Sequence, residues 1–146
     1  MTGARVPIGR RLLQSTTSGA LVAAGLNVTV PDRENWRIDG ISVLLTTTAT
    51  AGNRKITVEL LDSSAQALAV LVHSQNIAAS KTVSVNFGLG GYGQGEAGST
   101  PLVMVWDGMP ALVALAGQRI RVTDQAGVDI TDSAVATLFG EKEPVL

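Results

Sequence analysis

Alternation with a period of two is what most limits the folds open to this chain. Ile56, Val58 and Leu60 alternate with Lys55, Thr57 and Glu59; Val83, Val85 and Phe87 alternate with Thr82, Ser84 and Asn86; Ile120 and Val122 alternate with Arg119, Arg121 and Thr123. Successive side chains of an extended backbone point to opposite faces, so this spacing describes strands with one apolar face. No window of useful length carries a helical period. Eight to nine such segments, spaced about ten residues apart, predict a sandwich or barrel rather than an open sheet.

The first clear strand is expected over residues 20–30, where Leu26, Val28 and Val30 share a face and Pro31-Asp32 supplies a turn. From Trp36 the pattern changes phase: Trp36 and Ile38 lie on one parity, Ile41, Val43 and Leu45 on the other. A β-bulge near Gly40 restores a common inward face. Residues 68–72 are apolar without alternation, which predicts a strand covered on both sides, either centrally placed or covered by a neighbouring subunit. Residues 88–99 contain six glycines in twelve positions and form the longest expected loop.

The 146 residues fit one domain able to bury a core without staples, and the absence of cysteine removes disulfides and thiolate metal sites. Eleven basic and 12 acidic residues leave a net charge of -1, too little positive field for a general nucleic-acid or membrane-surface partner. Charged residues make up 16%, against roughly 25% in an average soluble domain. A surface so poor in charge is expected to meet other protein chains. The first acidic residue is Asp32, whereas Arg5, Arg10 and Arg11 precede it. Residues 1–18 are therefore assigned to a basic N-terminal arm and residues 19–146 to the β domain, with no leader peptide or membrane span.

Chemistry finds little support. His73 is the one histidine, at the end of the apolar run and without an organised nucleophile, so a structural role and no enzymatic activity are expected. The glycine-rich loop lacks the Gly-Lys-Ser/Thr ending and following helix of a phosphate cradle. Asp124, Asp129 and Asp132 share a loop and present carboxylates in the manner of calcium ligands, but their spacing is not that of an EF-hand and Asp is a standard turn residue, as Asp62 and Asp107 are also read. Trp36 and Phe87 belong on core faces, leaving Trp106 and Tyr92 as a poor platform for sugars or bases. The expected catalytic, cofactor and metal complement is none, with no small-molecule substrate.

The segment WRIDGISVLLTTTATAGNRKITVELL, residues 36–61, and the closing Arg119-Ile120-Arg121-Val122 followed by DITDSAVATL resemble the jelly-roll structural proteins encoded among the virion genes of tailed bacteriophages. The likeness extends over residues 28–138. It implies an all-β fold, a single antiparallel β-sandwich in the form of an eight-stranded jelly roll preceded by an arm. It also implies a capsid decoration or cement protein, a homotrimer on the major capsid protein, made in the host cytoplasm and located on the capsid surface of the virion. A tail, baseplate or fibre component with adhesin-like binding is the alternative. In that setting Arg5, Arg10 and Arg11 are the expected capsid-docking residues, pairing with lattice carboxylates. Leu68, Val70 and Val72 are the expected subunit contacts should their strand be peripheral.

Overall fold

The computed structural model describes residues 11–22, 24–88, 95–97 and 102–145. Among these residues the chain forms eleven strands and no helix: β1 (Arg11–Ala20), β2 (Leu26–Thr29), β3 (Glu34–Thr46), β4 (Ile56–Leu61), β5 (Ala67–Val72), β6 (Thr82–Gly88), β7 (Gly95–Ala97), β8 (Leu102–Gly108), β9 (Leu112–Ala114), β10 (Arg119–Asp124) and β11 (Ser133–Pro144). The larger sheet runs β1-β11-β3-β6-β8-β7, with β9 also paired to β3, and the smaller runs β2-β10-β4-β5.

Without β7, β8 and β9, eight strands remain as two four-strand orders, β1-β11-β3-β6 packed on β2-β10-β4-β5. The chain changes sheet at every connection between these eight except the β4–β5 hairpin, and the late strands β10 and β11 insert between earlier ones. That is the jelly-roll winding. The described residues thus form eleven strands where eight were expected, with β7, β8 and β9 lying between β6 and β10 in the chain. One pairing departs from the antiparallel expectation, since β8 runs parallel to β6. Parallel neighbours need a crossover of about a dozen residues or more, and residues 89–101 supply that length where a tight hairpin would have forced antiparallel pairing.

The phase change in β3 is a bulge. Phe139 pairs with Gly40 but Gly140 pairs with Ile38, so Asp39 is the extra residue. It turns Trp36, Ile38, Ile41, Val43 and Leu45 all inward, and each is buried. The crossing is tight: a Cβ at Gly140 would overlap the Arg37 carbonyl oxygen. Opposite these residues the inner face of the smaller sheet contributes Ile56, Val58, Leu60, Ile120 and Val122 to the same core.

One expectation is corrected, and one left open is narrowed. Residues 11–18, assigned to the arm, lie in β1, which pairs along its whole length with β11 and buries Leu13. The domain therefore begins at or before Arg11. Backbone pairing defines this strand, and its run of Gln, Ser and Thr hides the alternation. Of the two placements left open for residues 68–72, the central one does not hold. Among the described residues strand β5 pairs only with β4 and is an edge, with Ala69 and Leu71 against the core and the alternate residues outward.

Candidate functional site

At one end of the sandwich, the described residues of the β1–β2 connection and residues 47–55, 73–81 and 125–132 connect strands of the two sheets and are tied to one another. Leu21 N–H donates to the Asp132 carbonyl (2.6 Å), Thr47 N–H to Lys81 (2.8 Å), Ser80 N–H to Thr48 (2.8 Å) and Gln125 N–H to Lys55 (2.8 Å). Arg54 and Asp132 lie at the centre, neither exposed. Arg54 Nε donates to Asp132 Oδ2 at 2.7 Å and Nη2 to Oδ1 at 3.2 Å, while Nη1 donates to the carbonyls of Thr50 (2.9 Å) and Gly52 (2.7 Å). The bond to Asp132 raises the Arg54 pKa, outweighing the opposing effect of burial. A buried guanidinium is tolerable because its donors find acceptors.

The three carboxylates considered as calcium ligands have other work. Asp132 is held by Arg54 and by Thr48 N–H (2.8 Å). Asp129 accepts from the hydroxyls of Thr48 (2.6 Å), Thr50 (2.6 Å) and Thr131 (2.7 Å) and from Thr131 N–H (2.8 Å). These donors hold its pKa well below the usual carboxylate range. Asp124 accepts from the N–H groups of Lys55 (2.9 Å), Ala126 (3.0 Å) and Val128 (3.2 Å). All three knit loops together, and among the described residues no group of three or more carboxylates or histidines is placed to hold a metal ion.

His73 is fully buried, edge-on to Phe87 with ring centroids 5.0 Å apart. Its Nδ1 accepts from Gln75 N–H at 3.1 Å, which leaves Nε2 as the protonated nitrogen, donating to the Asn86 carbonyl at 3.2 Å. Desolvation lowers its pKa, so the ring is neutral, and Asp107 at 3.8 Å is no ion-pair partner. Ser74 donates its hydroxyl to Asp107 Oδ1 at 2.7 Å. Serine, histidine and aspartate thus meet, but not in the order of a catalytic triad: the hydroxyl proton goes to the carboxylate, and both ring nitrogens are engaged by backbone. Asp107, read as a turn former, instead sits in β8 and tethers the segment after β5. Asp62 does form its turn, accepting from Ser64 N–H (2.8 Å) and Gln66 N–H (2.9 Å).

The surface offers more than these clusters. On β5, Leu68, Val70 and Val72 are 53%, 52% and 41% exposed and share the outer side of the smaller sheet. Beside Val70 on that side, Glu59 is held by Arg121, whose Nη2 donates to both carboxylate oxygens at 3.0 Å. Arg11 is exposed at the start of β1, opposite Lys142. Strand β1 packs beside β2, at the other edge of the smaller sheet from β5. Arg11 and the β5 valines therefore occupy opposite sides of the sandwich. Arg5, Arg10, Tyr92 and most of the glycine-rich loop lie outside the described residues. Sequence reasoning missed the Arg54–Asp132 pair, for which no local signal exists, and the Ser74–Asp107 tether.

The molecule belongs by strand order to the jelly-roll class of all-β folds. It has structural similarity to the infectious bursal disease virus Gt strain structure, with TM-score 0.30 and 11% identity over 92% of this chain and 32% of that one. A crystal structure of the T13 particle of that virus gives TM-score 0.29 and 12% identity, covering 93% of this chain and 36% of that one. Its VP2 subviral particle gives 0.25 and 12%, covering 92% and 32%. The chain spans about a third of the length of these structures. At such scores the fold assignment rests on the strand order itself. No protein-family model and no curated protein matches the chain.

Proposed function

We propose that this chain is a virion structural protein of a tailed bacteriophage, a decoration or cement protein that binds the outside of the head and associates with further copies of itself. The observation that carries the reading is the jelly-roll strand order in a chain whose residues 36–61 and closing strands resemble phage virion proteins. Two features support it. The ionisable clusters inside the sandwich are engaged in holding loops together, and Arg11 and the exposed apolar side chains of β5 lie on opposite sides. The basic residues Arg5, Arg10 and Arg11 contact lattice carboxylates of the major capsid protein, while the apolar strand β5 meets another copy. Reinforcement then comes from many weak contacts made at once. No catalytic step is part of this role.

Co-sedimentation with purified heads and with purified tails tests the reading. Removing residues 1–10 and substituting Arg11→Gln leaves the β1 register available and is expected to abolish head binding while the unfolding midpoint stays unchanged. Undiminished head binding overturns the docking role of the arginines. Binding to tails in place of heads overturns the capsid role in favour of a tail or baseplate component.

A further inference from the structure

The hydrogen-bonding parity of β5 says what its open edge accepts. His73 N–H donates to the Ile56 carbonyl at 2.9 Å, in register with the Thr57–Val72 and Val58–Leu71 pairs. In an antiparallel ladder the bonded residues alternate, so Leu71 and Ala69 turn their N–H and C=O toward β4, whereas Val70 and Val72 turn theirs away. The same two residues carry the exposed apolar side chains. Leu68 is the extra residue of a bulge opposite Leu60 and Leu61, so the flat part of the edge is residues 69–72. Natural edges are commonly guarded by charge or proline. This one has neither: no Lys, Arg, Asp, Glu or Pro occurs between Asp62 and Lys81.

We propose that β5 pairs antiparallel with β5 of a second copy about a two-fold axis, joining the two smaller sheets into one continuous sheet. This deepens the self-association proposed above and rests on it. A matching strand must offer outward-turned N–H and C=O groups at alternate residues, with uncharged apolar side chains on the same face. Strand β5 meets both requirements for itself. With the axis at Leu71, Val70 of each copy stands opposite Val72 of the other, both with free backbone groups, and their side chains form one apolar cluster. The nearest charges on that face, Glu59 and Arg121, neutralise each other, so no like charges are forced together. The edge at β1 offers one exposed apolar residue, Leu12, followed by Gln14, Thr16 and Ser18, and that at β2 offers Asn27 and Thr29, so neither matches the apolar run of β5. A two-fold contact closes after two copies, so this surface makes pairs, not the trimer implied by the sequence resemblance.

Sedimentation velocity of the full chain over a concentration series, read together with residue-resolved amide exchange, tests the pairing. A mass of two chains is expected, with Val70 and Val72 amides protected in the pair and exchanging freely on dilution. Val70→Lys is expected to raise the dissociation constant by about tenfold or more without moving the urea midpoint measured at dilutions where both chains are monomeric. A chain that is monomeric throughout, a dimer whose Val70 and Val72 amides exchange freely, or an assembly indifferent to Val70→Lys overturns the proposal. A chain that binds heads but never pairs counts against this contact alone, and a paired chain that ignores heads counts against the capsid role alone.

Discussion

Arg54 and Asp132 stand 78 positions apart in sequence and 2.7 Å apart in space, with no exposed surface on either side chain. The pair fastens the β3–β4 connection to the β10–β11 connection. Removing one partner leaves the other charge buried and uncompensated. Arg54→Met and Asp132→Leu are each expected to cost about 3–5 kcal/mol by urea unfolding. The double substitution is expected to cost less than their sum, because neither charge is then stranded.

The Glu59–Arg121 pair has comparable geometry but a different environment, with side chains 16% and 30% exposed. Water already solvates both groups, so little is lost when the contact goes. Glu59→Gln is expected to lower stability by less than about 1 kcal/mol, with an effect that shrinks as salt is raised.

These two pairs also mark what was legible in the residues. Strands such as β4, β6 and β10 were readable because burial on one face imposes an alternation that survives in the sequence. The bulge at Asp39–Gly40 was readable for the same reason, as a break in phase. Strand β1 was not, because Leu13 is its one strongly apolar inward residue and pairing with β11 does the rest. The apolar run at β5 was visible, but whether its outward side faced a sheet or water depends on strand order, which local pattern does not encode. The meeting of Arg54 with Asp132 depends on it entirely. Asp124, Asp129 and Asp132 look alike in sequence because one residue type serves turns, loop ties and ion pairs.

Stability is expected to fall on the acid side in two stages. Burial lowers the His73 pKa, so below its ordinary value of about 6.5 the unfolded chain takes up a proton that the folded chain refuses. The loss begins near that pH and continues down to the folded value. Asp129 is also depressed, so its contribution is fully present above about pH 4 and disappears as pH falls further through its folded value. Urea midpoints measured against pH are expected to lose the upper stage in His73→Gln and the lower stage in Asp129→Asn.

Two glycines separate overlap from backbone strain. An alanine at Gly140 puts a methyl group into the Arg37 carbonyl and must displace the bulged pairing of β3 and β11. Gly140→Ala is expected to cost about 2–4 kcal/mol. Gly127 has φ of 61° and nothing within 4 Å of the added carbon, so Gly127→Ala carries only the left-handed penalty of about 1–2 kcal/mol. Thermal unfolding of the two variants side by side checks the difference.

The insertion of β10 between β2 and β4, and of β11 between β1 and β3, bears on how the protein is made. A ribosome delivers β1 to β9 first, and at that stage each sheet has a vacant lane down its middle. The β4–β5 and β3–β6 pairs can form early, while among the described residues β1 and β2 have no neighbour in their own sheet until β10 and β11 emerge. Nascent chains that stop short of residue 119 should therefore stay sensitive to protease at residues 11–29 even where the later hairpins have formed. Folding of this molecule is completed from its C-terminal side, after most of the chain has been synthesised.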